Sequence, residues 1–348
     1  MEIFNKKPNM VNPFLSICIT SYNRTKELKR CLESINSKKY ADKIEIIISE
    51  DHSPQRNIIK KIVSNFALTS KYHLIFNSNE INIGYDNNLG KLIELANGQY
   101  ILFLSDDDAL MNNAIDTIID CLKIEKPPLL FSPFFIYYSN NYKRKYKNSF
   151  KISASEKNAA KYLHDSILFS GLTFDRNLIK EYDSTRFKNF NYYQVYLFLN
   201  IIFKYGGYYL DFPTIHCFGD GENAYGIAES SEKNEFLANR KSIYSDIEFH
   251  KGLFKTIDIF DKEKHTNIKK EFSKEYSLRS YRGLRNAKKS GKKEFNQYWK
   301  KLKLLDIKLS WVAKSYFIML SILGWKVSDW IIEIPKKVLI YYRAYINY

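Results

Sequence analysis

Little in this chain marks a secreted, membrane-spanning or metal-stapled protein. The four cysteines among 348 residues, Cys18, Cys31, Cys121 and Cys217, lie far apart and form no Cys-x-x-Cys pair. That spacing argues against a disulfide framework or a zinc site and for reduced thiols in the core of a cytosolic protein. Proline (8) and glycine (13) are scarce and 45% of residues are hydrophobic, which excludes a disordered or low-complexity chain. No apolar run reaches the roughly 18 uncharged residues of a spanning helix. Residues 1–14 carry Lys6, Lys7, Pro8 and Pro13 but no apolar stretch of the secretory kind, so no export signal is expected.

Aromatic side chains and positive charge are abundant instead. There are 27 Tyr and 24 Phe, and the net charge is +16. Residues 281–348 hold 15 Lys and Arg against Glu294, Asp306, Asp329 and Glu333, so most of the excess belongs to the last fifth of the chain. A basic region of this kind suits anionic lipid, a phosphorylated substrate or nucleic acid. Nucleic acid is not the expected partner, because no RNA-binding motif accompanies the charge.

Hydrophobic patterning predicts strands at residues 15–19, 44–48, 73–76 and 100–104, separated by amphipathic helices. Leu28, Cys31, Leu32 and Ile35 mark the first helix, and Ile58, Ile59, Ile62, Val63 and Phe66 mark the second, which Pro54 opens. Residues 86–96 read as a third helix. Such alternation predicts an α/β fold with a mostly parallel, Rossmann-like sheet flanked by helices. Right-handed crossovers then bring the strand C-termini to one edge. Further along, strands are expected over 129–138, 168–174 and 208–210, and helices over 114–122 and 193–203. From about residue 230 the chain reads helical, basic and free of sheet signals. The expected domains are 12–228 and a helical, aromatic-rich extension, 229–348.

Three polar clusters meet at the predicted sheet edge: Thr20-Ser21-Tyr22-Asn23-Arg24, Ser49-Glu50-Asp51-His52-Ser53 and Ser105-Asp106-Asp107-Asp108. The last is the most informative, because the buried strand Tyr100-Ile101-Leu102-Phe103-Leu104 runs straight into three carboxylates. Like charges at a buried strand end are costly unless a cation neutralises them. Ligands of open α/β sheets bind at that same edge. The combination points to a hard divalent cation carrying phosphates.

Taken in order, these segments resemble the family 2 glycosyltransferases, which have the GT-A fold. The resemblance rests on residues 15–24, 46–53 and 102–110, with Asn82-Ile83-Gly84 and Asn87-Asn88 fitting the turn and helix before the acidic motif. It is similar in flavour to bacterial O-antigen and capsule enzymes such as abequosyltransferases. The resemblance implies a nucleotide pocket lined by Thr20, Tyr22 and Arg24, with Glu50 or Asp51 accepting a hydrogen bond from the base. The family usually has Asp where this chain has Glu50. Asp106 resembles the acid near ribose and metal, and Asp108 the direct ligand of Mg²⁺ or Mn²⁺ in a DXD motif. Implied partners are a nucleotide-sugar donor and a glycan acceptor, polyprenyl-diphosphate-linked in enzymes of this type. The implied reaction is sugar transfer with inversion, in the cytoplasm at the inner face of the cell membrane.

Inverting members place a carboxylate base at the start of a late helix, but residues 189–194 (Asn-Phe-Asn-Tyr-Tyr-Gln) contain no acid. Asp165 is the candidate base, with Asp211 and Asp220, beside Glu222, as alternatives. His216 is open to two readings, a metal or diphosphate contact or a packed ring. The missing acid also leaves open a nucleotide-sugar-binding protein without transferase activity. A nucleotidyltransferase is a further alternative, although residues 20–24 lack the Gly-rich phosphate loop such enzymes usually have.

Over residues 309–331, Leu309, Val312, Ala313, Tyr316, Phe317, Leu320, Leu323, Gly324, Val327, Trp330 and Ile331 recur at helical spacing, and Ser310, Lys314, Ser321 and Ser328 mark the other face. With Trp, Tyr and Lys flanks, such a helix suits a bilayer interface; the alternative is a helix packed on the protein with a solvated basic face.

Overall fold

The structure is a computed structural model that describes residues 1–4, 12–136, 146–187, 190–221, 244–305 and 307–346. Two compact units form: Met1–Leu237 with Lys255–Thr266, and Ala238–Phe254 with Asn267–Tyr348. The boundary expected at 228/229 lies outside the described residues.

Among the described residues the first unit has twelve strands: β1 (Glu2–Phe4), β2 (Leu15–Ser21), β3 (Ile44–Glu50), β4 (His73–Ser78), β5 (Tyr100–Ser105), β6 (Asp108–Leu110), β7 (Leu129–Phe131), β8 (Phe134–Ile136), β9 (Phe150–Ile152), β10 (Thr173–Asp175), β11 (Gly207–Tyr209) and β12 (Ile215–Cys217). Nine of them form one sheet in the order β1-β4-β3-β2-β5-β10-β7-β11-β9, while β6-β12-β8 form a small second sheet. Strands β4, β3, β2 and β5 are mutually parallel.

These parallel strands are continuous apolar runs because both faces are covered. Ile17, Ile19, Ile46, Ile48, Leu102 and Leu104 share a core with Leu28 and Leu32, Ile59 and Val63, and Ile115 and Ile118 of three helices. On the alternate positions, the Cys18 thiol lies 3.9 Å from the Leu92 carbonyl of helix Tyr85–Leu95. Ile58 does not join the core of its helix; it is exposed.

Register brings the strand ends level, pairing Thr20 with Ser49 on one side and Ser105 on the other. At the opposite edge, buried Glu45 accepts hydrogen bonds from Ser16 Oγ (2.5 Å), Asn97 N (2.6 Å) and Gly98 N (3.0 Å). That carboxylate is fully employed in holding the sheet together. The polar side chains at the other edge are thus the ones left for chemistry.

Two expected strands differ. The run 129–138 divides at Pro133 into β7 and β8, which join different sheets; Pro has no N–H for a central ladder. Residues 137–138 lie outside the described residues. Of 168–174, only Thr173 onward is strand, because Gly171 turns the chain with φ +91°. The second unit contains helices Ile268–Arg279, Tyr281–Ser290, Lys292–Lys303 and Trp311–Ile346, the last broken at Gly324 (φ 72°, ψ 173°).

Candidate active site

The turn after β2 closes on the end of β5. Tyr22 N–H donates to Asp106 Oδ2 at 3.1 Å, and Arg24 Nη1 donates to Asp106 Oδ1 at 2.9 Å. The same guanidinium lies 3.3 Å from Asp107 Oδ2. All three aspartates, 106 to 108, are buried. Burial pushes Asp106 up to about 7, against the pull of Arg24. Asp108 rises to about 6 by burial and by the charge of Asp107. Its donors are neutral: Ser170 Oγ at 2.6 Å, the Cys217 thiol and the Phe218 N–H. One guanidinium shared by Asp106 and Asp107 leaves Asp108 without a cation of its own among these partners.

A second arginine lies alongside. Arg30 donates to Asp220 at 2.7 and 2.8 Å and to the Asp107 carbonyl at 2.6 Å, with its guanidinium 3.7 Å from the Phe218 ring centre. The segment leaving β12 therefore lies against the acidic motif. A β-carbon at Gly221 would sit 2.8 Å from Arg24 Nε and 3.0 Å from Asp107 Cβ, so a larger residue there would push the Arg24 side chain.

Glu50 and Asp51 occupy the turn after β3. Glu50 accepts from Ser53 N (2.7 Å), His52 N (3.2 Å) and Ser78 Oγ (3.2 Å), and so fixes its own turn. Asp51 accepts from Asn79 Nδ2 (2.9 Å), Ile83 N (2.9 Å) and Gly84 N (3.0 Å). Burial raises its carboxyl to about 6. Thr20 is level with these groups through its pairing with Ser49.

The acid-free helix start gains a carboxylate from elsewhere. Asp86, in the first turn of Tyr85–Leu95, accepts from Phe190 N (3.0 Å), Asn191 N (2.7 Å) and Tyr193 N (2.9 Å). It caps helix Tyr193–Tyr205 across more than a hundred residues. Sequence reading missed this residue, and the only local signal was an acid in a helix first turn. Beside it, Tyr85 OH donates to Gln194 Oε1 at 3.3 Å and packs edge-on against Phe169, next to Ser170. The Asn191 side-chain amide is buried without a hydrogen-bond partner.

The candidate bases separate in space. Asp220 is joined to the acidic motif through Arg30, which holds its carboxyl below the usual range. Asp165 accepts from Tyr146 OH at 2.9 Å, and that ring packs on Phe150 and Tyr209 at the β9–β11 edge. Asp211 N–H donates to Ser149 Oγ at 2.9 Å, just after β11. Glu222 and Asn189 lie outside the described residues. His216 packs between Phe135 and Phe218, and burial lowers its pKa.

Among the described residues no three His, Cys, Asp or Glu side chains converge as a metal cage. Asp108, whose donors are neutral, is the carboxylate that would suit a hard divalent cation, whereas both Asp106 oxygens already accept from Arg24 and the Tyr22 N–H.

A parallel sheet that gathers arginines and buried aspartates at its C-terminal edge, extended by antiparallel strands, has the GT-A fold. Residues 16–183 match the family model described as glycosyl transferase family 2, and this segment is a family 2 glycosyltransferase domain. Abequosyltransferase RfbV of Salmonella typhimurium is 32% identical over 102 residues, 29% of this chain and 30% of that protein. The GalNAc(5)-diNAcBac-PP-undecaprenol beta-1,3-glucosyltransferase of Campylobacter jejuni is 29% identical over 107 residues, 31% of this chain and 34% of its own length. The matches thus span about a third of these relatives. Among solved structures, S. aureus TarS 1-349 superposes with a TM-score of 0.50 at 14% identity, covering 70% of this chain and 80% of that one. Its complex with UDP gives 0.50 at 14%, over 78% and 82%.

Proposed function

We propose that the protein is an inverting glycosyltransferase of bacterial surface polysaccharide assembly. It takes a sugar from a nucleotide-diphosphate donor and transfers it to a hydroxyl of a glycan carried on polyprenyl diphosphate. The observation that carries this reading is the Asp106–Asp108 motif at the end of β5, tied to Arg24 and the Tyr22 N–H inside the segment that matches the family. The lipid-linked acceptor is inferred from the name of the C. jejuni relative.

Donor binding uses the two ends of the cleft. Asp51 takes the N–H of the base, since its Oδ2 accepts from the Gly84 N–H and retains a lone pair. Arg24, already poised between two carboxylates, meets the diphosphate as a bidentate donor. Asp108, with Asp106 beside it, would hold Mg²⁺ or Mn²⁺, which would supply charge neutralisation for the departing nucleotide diphosphate. Inversion requires the acceptor hydroxyl to attack from the face opposite the leaving group while a base takes its proton. Asp165, Asp211 and Asp220 are the candidates for that proton, and single Asp→Asn variants separate them. We place the enzyme in the cytoplasm, peripheral at the membrane. Among the described residues no helix is long and apolar enough to cross a membrane.

The first test is thermal stabilisation of wild type and Asp108→Ala by a panel of nucleotide sugars, with and without Mn²⁺, followed by turnover assays. Metal-dependent stabilisation by one donor and turnover, both lost in the variant, is the expected result. A donor that stabilises both proteins equally would sink the assignment of Asp108. The acid-free 190–194 stretch favours a second reading, donor binding without transfer, which any turnover abolished by Asp108→Ala rules out.

A further inference from the structure

Over residues 311–332, helix Trp311–Ile346 is apolar on two opposite faces. On the inner face Ala313 and Leu320 are fully buried, and Phe317 stacks on Phe295 and Trp299 with ring centres 4.8 and 4.6 Å away. On the face turned away from these, Trp311, Ile318 and Ile322 recur at spacings of seven and four residues, one stripe of an α-helix. Their exposures are 76%, 55% and 76%. Beyond the break at Gly324 the pattern repeats: Ser328 is buried, while Val327, Trp330 and Ile331 are exposed. Large apolar side chains standing in water on both sides of this break mark an interaction surface.

The charges around the stripe are of one sign. Lys314 and Lys326 are exposed at its margins, and Lys289 lies over the Trp325 ring at 4.4 Å. The one acid between residues 311 and 332, Asp329, is turned inward, accepting from Tyr281 OH at 2.8 Å and lying 3.6 Å from Arg285. The outer face thus presents tryptophan, isoleucine and lysine with no carboxylate from this segment.

We propose that this outer face docks on an anionic lipid bilayer, the helix lying in the headgroup plane with Trp311, Ile318, Ile322 and Trp330 inserted and the lysines on lipid phosphates. Helices with this division of residues lie in the interface, where tryptophan rings and lysine stems span the apolar–polar boundary. A second copy of the chain is a poorer occupant, because the region holds 15 Lys and Arg against four acids and like surfaces repel. The inference names the surface for the membrane placement proposed above, and its vesicle test is read without donor or sugar transfer, so the two readings fail separately.

The test uses the full chain and vesicles of phosphatidylcholine alone or mixed with phosphatidylglycerol, with no donor present. Co-sedimentation and tryptophan fluorescence are read together. Wild type is expected to sediment with the mixed vesicles, with a blue shift, and to dissociate as salt is raised. Ile318→Ser/Ile322→Ser is expected to lose about tenfold or more in vesicle affinity with unchanged circular dichroism. Lys314→Gln/Lys326→Gln is expected to lose only the phosphatidylglycerol-dependent part. Equal sedimentation of wild type and the isoleucine variant would overturn the proposal. So would light scattering that finds a dimer in wild type, dissolved by the same substitutions, with no vesicle binding.

Discussion

The proposed role of Asp51 would tie donor binding to pH. Burial raises its carboxyl to about 6, against the hydrogen bonds from Asn79, Ile83 and Gly84, which favour the charged form. The ionised group is the stronger acceptor for the N–H of a nucleotide base, because its hydrogen bond is charge-assisted. If this carboxylate binds the base as proposed, donor affinity is expected to weaken as pH falls through about 6, by at most about tenfold per pH unit. Calorimetric titration from pH 7.5 to 5 reads this slope, and Asp51→Asn should remove the Asp51 part of it. Affinity independent of pH across that window would dissociate Asp51 from the base. The consequence for folding has the opposite sign. A carboxyl whose folded pKa lies above its ordinary 3.8 binds its proton more tightly in the native state. Its contribution to stability therefore improves as pH falls from about 6 toward 4 and is lost as pH rises.

The helix Tyr193–Tyr205 depends on contacts that its own sequence does not supply. Its start has no acid, and Asp86 takes three of the backbone N–H groups there. Removing that carboxylate strands buried donors, so Asp86→Ala is expected to cost roughly 2 to 3 kcal/mol, read as a lower thermal midpoint and urea midpoint. A midpoint within error of wild type would mean that water replaces the cap. At the other end, Gly206 has φ +79°, and a β-carbon there would sit 2.2 Å from the Ile152 carbonyl oxygen. Gly206→Ala is expected to destabilise by more than about 1 kcal/mol and to loosen the β9–β11 pairing, visible as faster amide exchange at Ile152. These two ends also mark what can be read from a sequence. The strands β2, β3 and β5 were legible because they are buried on both faces and so appear as unbroken apolar runs. The acidic motif was legible because three carboxylates after such a run have few bland explanations. The Asp86 cap was not, because its partners lie more than a hundred residues away and no periodicity links them. The split at Pro133 was hidden by aromatic residues on both sides of the proline. In the last helix periodicity announced an apolar face but not which face packs: Ser328, expected on the polar side, is buried and donates to the Gly324 carbonyl at 2.6 Å.

At the scale of the whole molecule, chemistry and charge are divided between the two compact units. The acidic motif and both arginines belong to the first, while the exposed apolar stripe and most of the excess lysine belong to the second. If the second unit brings the enzyme to its acceptor rather than completing the site, changes to the stripe must separate two kinds of rate. With a water-soluble acceptor analogue, Ile318→Ser/Ile322→Ser is expected to match wild type in donor affinity and turnover, because no group placed in the cleft has changed. With an acceptor embedded in phosphatidylglycerol vesicles, the same variant is expected to fall about tenfold or more, since the local concentration gained by sharing a surface is lost. Raising salt should reduce the wild-type rate toward that of the variant, because screening weakens the lysine–phosphate attraction over about a Debye length. Equal losses on both acceptors would mean that the helix supports the catalytic unit itself, and the division of labour between the units would have to be redrawn.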